Sequence, residues 1–195
     1  MNVNLKQIIG NWSLGYALDK HTLGSEYLGD DEWGNPRFNT TRSEAGEALY
    51  QLKYCGDNSQ ALHLATAINN NILPLLGPIS FIVSMPPSKQ RTVQPVDLIA
   101  SELAKLAGIP YGQGFLYKAK ATPQSKDASS KAEKVSLLKD ALAINTSAVD
   151  ISRGVYNVLL IDDLFDSGAS LEAATDVLLS CANIQKVIVA TATWK

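Results

Sequence analysis

The chain has 195 residues, 46% of them hydrophobic and 18% charged, a balance that builds an ordinary core and excludes a disordered polymer. A formal net charge of -2 excludes a protein held to nucleic acid mainly by counterion release; direct nucleic-acid contact is left open but has no support from charge. Cys55 and Cys181 stand far apart with no CxxC pair, which excludes a zinc ribbon or disulfide framework and points to a reducing cytoplasm.

The opening residues, MNVNLKQIIGNW, lack the basic-then-apolar order of a secretory leader. No apolar run reaches the ~18 residues a membrane crossing needs. Localisation in the cytoplasm, with no membrane contact, is the expectation. Residues 1–57 carry scattered glycines (Gly15, Gly24, Gly29, Gly34, Gly46) and no clean period, so they are expected to form an irregular cap, or hood, over a core made of residues 58–195. Within that cap Trp12, Tyr16 and Trp33 suit either stacking on a base or packing a small core.

From Asn58 or Ser59 a helix is predicted, with Ala61, Ala65, Ile68 and Ile72 at helical spacing, broken by Pro74, Gly77 and Pro78. ISFIV (79–83) reads as a fully buried strand, and SMPPSKQRT after it as turns. Pro95 opens a second helix, whose face carries Val96, Ile99, Leu103 and Leu106 and which Gly108 stops. GFLYK (114–118) reads as a short strand, and the polar KAKATPQSKDASSK that follows has no apolar period. Ser130 and Glu133 form a capping box for a helix through Leu137, Leu138 and Ala141. VYNVLLI (155–161) is the strongest strand, followed by a helix from Ala169 to about Cys181 and a closing strand, KVIVATAT (186–193). Strands alternating with helices, and apolar runs rather than alternation, predict an α/β fold with a mostly parallel, doubly wound sheet covered on both faces.

The sharpest chemical signal is VLLIDDLFDSGAS (158–170). Adjacent carboxylates at a strand end repel each other and are costly to bury unpaired, so Asp162 and Asp163 call for a partner such as sugar hydroxyls or a hydrated cation. The sequence Asp166-Ser167-Gly168-Ala169-Ser170 then supplies small residues whose N–H groups converge at a helix start, an anion cradle suited to phosphate. A sugar phosphate satisfies both halves. Neither GxxxxGK[ST] nor GxGxxG occurs, so nucleoside-triphosphate and dinucleotide readings fall away. A phosphoacceptor receiver would need a separate acidic pair near the first strand, and none is visible.

This segment resembles the phosphoribosyl-pyrophosphate (PRPP) signature of type I phosphoribosyltransferases. YQLKYCGD (50–57), SMPPSKQR and the TPQS stretch extend the resemblance to ComF-type, competence-associated members, here without their N-terminal zinc ribbon. The resemblance implies a fold of that kind and transfer of the 5-phosphoribosyl group to a nucleobase or amine, with release of pyrophosphate. It equally admits a catalytically weak sensing module acting in DNA uptake or nucleic-acid metabolism. It implies that Asp162 and Asp163 take the ribose hydroxyls directly or through Mg2+, that 166–170 holds the 5-phosphate, and that Asp166 is also a candidate proton acceptor. Ser84, Lys89 and Arg91 would bind pyrophosphate. Segment 118–134 would be a mobile loop over the reacting centre, with Lys126 its candidate catalytic residue among Lys118, Lys120, Lys131 and Lys134. The expected partners are PRPP and the acceptor; a homodimer is left open.

Overall fold

A computed structural model describes residues 1–88, 91–120 and 130–195. Its centre is a five-stranded sheet built from β1 (Lys6–Gln7), β2 (Leu14–Lys20), β5 (Phe81–Ser84), β8 (Tyr156–Phe165) and β9 (Ile184–Trp194), in the order β1-β2-β9-β8-β5. Every pairing is parallel except that of β1, which caps the edge antiparallel to β2. Beyond β5, Tyr111 adds one further parallel bridge to Ile82.

The apolar runs alternate strictly between two faces, which is why both had to be hydrophobic. Leu159 and Ile161 of β8, with Ile188, Ala190 and Ala192 of β9, pack under α1 (Glu44–Tyr50), α2 (Gln60–Asn71) and α3 (Pro95–Ala107). Val158 and Leu160, with Val187 and Val189, pack under α5 (Ala169–Leu179) and Phe115. α4 (Lys131–Lys139) begins at Ser130, whose Oγ accepts from the Glu133 N–H at 3.2 Å, the serine half of the predicted capping box. Ala61, Ala65, Ile68 and Ile72 are buried as expected, whereas Leu106, expected on the buried face of α3, is exposed.

Three elements differ from the sequence expectation. Residues 1–57 are not uniformly irregular, because β2 is an interior strand of the main sheet, between β1 and β9. Gly15 hides it: a Cβ there would lie 2.5 Å from Trp12 Nε1, so glycine marks a close approach of the Trp12 ring, not a turn. β3 (Thr22–Asp30) and β4 (Pro36–Arg42) form a separate, largely exposed antiparallel ribbon. The short strand at 114–118 becomes β6 (Leu116–Lys118), which pairs antiparallel with β7 (Leu142–Ile144) instead of entering the parallel sheet.

Candidate functional site

β8 runs four residues further than its apolar core suggests, so Asp162 and Asp163 sit within the last turns of the strand ladder, with Asp162 opposite Thr191 of β9. Parallel α/β sheets bind ligands beyond such carboxyl ends. A cavity of about 320 Å³ opens there, and its walls include Asp162, Asp163, Ser170, Pro87, Lys118 and Lys134. The stretch after β5, the acidic strand end, the start of α5 and two of the predicted lysines thus meet in one place. A roomier concavity of about 670 Å³ lies between α1 and α2, away from the strand ends.

Asp162 Oδ1 accepts from the Asp163 N–H at 2.8 Å. Burial, followed by the charge of Asp163, pushes the Asp162 carboxyl well above the usual range. Asp163 is anchored from both sides: Lys53 Nζ lies 2.5 Å from its Oδ2, and Thr193 Oγ1 donates to its carbonyl at 3.0 Å. His21 Nδ1 stands 3.3 Å from the same Thr193 hydroxyl. Burial, then Arg42 and Lys53, hold the His21 pKa below its ordinary value, so the ring is biased toward neutrality.

Lys53 was not foreseen as a site residue. It rides on a π-helical turn, Gln51–Cys55, that continues α1 and is closed by the Gly56 N–H bonding to the Gln51 carbonyl. Gly56 takes φ 74°, which ends the helix. Single π-turns frequently occur at functional sites, because the extra residue re-aims a side chain that regular helix would point elsewhere. No local pattern in YQLKYC announces this. The same turn carries Tyr54, whose ring lies 5.5 Å from that of Tyr50 and 5.7 Å from the Arg91 guanidinium, while the Arg42 guanidinium lies 3.9 Å from the Tyr50 ring.

Gly168 caps α5 with φ 79°, the left-handed conformation that lets the backbone turn into the helix. A Cβ there would meet the Phe165 ring at 3.0 Å. Ala169 is buried behind the loop, and Ser167 is exposed with its Oγ 3.4 Å from the Ala169 N–H. Glu172, an acid in the first helical turn, is paired with Lys131 Nζ at 2.7 Å, so its charge does not oppose an incoming anion. Asp166 is exposed outside the cavity wall, 3.9 Å from Lys195 Nζ.

Ser84 turns elsewhere. Its hydroxyl donates to Asp97 at 2.5 Å and lies 2.9 Å from the Tyr111 hydroxyl, a half-buried knot in which the Tyr111 pKa is raised by burial. Arg91 lines a smaller cavity of about 70 Å³ that shares Lys53 and Asp163 with the main one. Lys89 and Lys126 lie outside the described residues. Trp12 is a core residue that donates to the Ile8 carbonyl at 3.0 Å, while Trp33 stands exposed at the ribbon tip.

Magnesium prefers oxygen ligands in octahedral geometry. Among the described residues no three His, Cys, Asp or Glu side chains converge on a point, and Asp163 already holds Lys53. These residues suit an ion held mainly by a ligand's own phosphate and hydroxyl oxygens, with the two carboxylates as outer partners. Among the described residues no helix is long and apolar enough to cross a membrane.

No sequence-family description matches the chain, and no curated protein matches it in sequence. Its fold has clear counterparts among solved structures. The chain is similar to the adenine phosphoribosyltransferase of Trypanosoma brucei in complex with AMP, pyrophosphate and ribose-5-phosphate, at 12% identity over 97% of this chain and 74% of that one, with a TM-score of 0.50. The adenine phosphoribosyltransferase of Saccharomyces cerevisiae matches at 12% identity over 89% of this chain and 85% of that one, with a TM-score of 0.47. The orotate phosphoribosyltransferase of Aeropyrum pernix matches at 16% identity, 87% and 74% coverage and a TM-score of 0.40. At such identities the likeness is one of fold. The α/β architecture with a mostly parallel sheet, expected from the alternation of strands and helices, is the one found.

Proposed function

We propose that the protein binds PRPP and transfers its 5-phosphoribosyl group to a nucleobase or amine, releasing pyrophosphate. The observation that carries this reading is the convergence of Asp162, Asp163, Ser170, Pro87, Lys118 and Lys134 on one cavity at the carboxyl end of a parallel sheet. Carboxylates on one wall accept hydrogen bonds from ribose hydroxyls. Ser170 lines the same cavity, and the start of α5 would meet the 5-phosphate there, where N–H groups and the helix dipole favour negative charge.

Bond breaking at C1 of the sugar leaves positive charge on the ribose and negative charge on the departing pyrophosphate. The chain has little covalent work to do. Lys53, Lys118 and Lys134 surround the cavity and stabilise the developing negative charge, and Arg91 stands beside it on the smaller cavity. Magnesium, bound with the substrate's phosphate oxygens, would make pyrophosphate a better leaving group. Arg91 on the smaller cavity lies against the Tyr54 ring, and a planar acceptor would lie on that side. Asp166 would take a proton only after the exposed loop moves inward.

A second reading is a ComF-type, cytoplasmic binding module with weak turnover. The commitment of the Ser84 hydroxyl to Asp97 and Tyr111 favours it, because that hydroxyl is then withdrawn from the pyrophosphate side. Calorimetry with PRPP and magnesium tests the shared claim. Replacing Asp162 and Asp163 together with Asn is expected to weaken binding tenfold or more, since hydrogen bonds to charged groups are worth about 1.5–3 kcal/mol; unchanged affinity would remove the site assignment. Pyrophosphate release across a panel of bases and amines separates enzyme from sensor: silence with every acceptor selects the sensor.

A further inference from the structure

We infer that Lys53 is a resident counter-cation for the sugar-binding carboxylates, and that it lets this site take its sugar phosphate with little need of a divalent metal. The inference rests on the sugar-phosphate reading above and adds a distinct role to a side chain that reading uses only as one of several cations around the cavity.

The geometry is specific. Lys53 Nζ sits 2.5 Å from Asp163 Oδ2, and both side chains are only 19% exposed. Neither partner is a loosely solvated surface charge, so the attraction is screened far less than that of an exposed pair. The lysine arrives from a helix more than a hundred positions away in sequence, held by the π-helical turn and its Gly56 terminus. It lines both the main cavity and the smaller one that carries Arg91. It therefore stands between the carboxylates that would meet the ribose and the side on which the leaving group would lie.

Two adjacent carboxylates ordinarily repel a polyphosphate, and a divalent ion is one way to bridge like charges. Here that position is contested. A metal drawn against Asp163, even as an outer partner through its water, would face an ammonium on the same oxygen, and two cations so close disfavour each other. An ammonium on Asp163 neutralises one of the two acids and presents its remaining donors to the cavity. Lys118 and Lys134 on the wall continue the positive surface toward the phosphates. The arrangement substitutes a tethered single charge for an imported double one, and cation binding and Lys53 pairing become antagonistic through ordinary linkage.

The test is calorimetric titration of the whole chain with PRPP, in EDTA and in excess magnesium, for wild type, Lys53→Met and Lys53→Arg. Wild type is expected to differ between the two buffers by no more than about threefold, while Lys53→Met loses about tenfold or more in EDTA and recovers most of it with magnesium. Lys53→Arg, which keeps the charge, is expected to follow wild type. A thermal melt by circular dichroism confirms that each variant is folded. A wild type that binds only with magnesium overturns the inference and leaves the sugar-phosphate reading intact, and this arm needs no variant. A Lys53→Met protein with the wild-type response overturns it as well. Failure of wild type to bind PRPP in either buffer removes the underlying reading instead.

Discussion

The turn after β8 and the N-terminal third of the chain contribute to the same cavity in opposite ways. The turn carries its chemistry locally: acids, glycine and serines lie side by side in sequence, and the strand and helix that flank them fix their positions. The N-terminal third contributes one decisive side chain, Lys53, whose value comes from an irregular helical turn and a partner 110 positions away. The first region is a motif. The second is a placement, and it depends on everything beneath it: β2 threaded between β1 and β9, α1 laid over the sheet, and the π-turn at its end.

That contrast predicts where glycine is irreplaceable. Gly168→Val should be the most damaging single change at the turn. A β-branched residue at φ 79° is strained, and its Cβ would press on the Phe165 ring at 3.0 Å. A loss of about 2–3 kcal/mol is expected in urea unfolding, from left-handed strain plus overpacking, together with loss of phosphate binding. Gly24→Val in the β3–β4 ribbon is the control: a Cβ there meets nothing within 4 Å, and a strand suits valine. Equal costs at the two positions would erase the distinction between the regions.

A subtler effect concerns Asp162, whose carboxyl is held above its ordinary pKa by burial and by Asp163. An acid with a raised folded-state pKa contributes fully below its unfolded value, about 3.9 for aspartate. That contribution is lost as pH climbs through the folded value. Asparagine cannot ionise and so escapes the loss. Asp162→Asn should therefore be more stable than wild type at neutral pH by a few degrees in melting temperature, on the order of 1 kcal/mol for a chain of this size. The advantage should shrink as pH falls toward about 4. A gain that persists unchanged at low pH would show that packing, not ionisation, is the cause. Stability bought back at the expense of binding is the expected mark of a functional site.

These contrasts also explain what could be read in advance. The helices at 60–71, 95–107 and 169–179 and the three longest core strands of the C-terminal two-thirds follow from apolar period and caps. The placement of Asp162 and Asp163 at a strand end and of Gly168 at a helix start was legible because short-range residue order produces it. β2 was not, since Gly15 serves a contact with Trp12 that only the folded chain reveals. Lys53 was not, because a π-turn differs from an α-turn by one residue of register that no local preference encodes. Ser84 looked like a loop hydroxyl, yet Asp97 and Tyr111, both distant in sequence, bind it. Lys53 and Ser84 were decided by partners far along the chain, and Gly15 by a nearby ring that only the folded backbone brings against it.

The smallest expected effect lies at the far end of the N-terminal third. Trp33 is 77% exposed at the tip of the ribbon, where Asp31 Oδ1 accepts from the backbone N–H groups of both Trp33 and Asn35. The turn is thus held by Asp31 and not by the indole. Trp33→Ser should change urea-unfolding stability by less than about 0.5 kcal/mol, as surface substitutions away from packed features do. PRPP affinity should also stay within error, because Trp33 lines neither the main cavity nor the smaller one beside it. A clear drop in PRPP affinity on this change would mean that the ribbon reaches the site in solution, and the N-terminal third would then contribute to binding through more than the turn that carries Lys53.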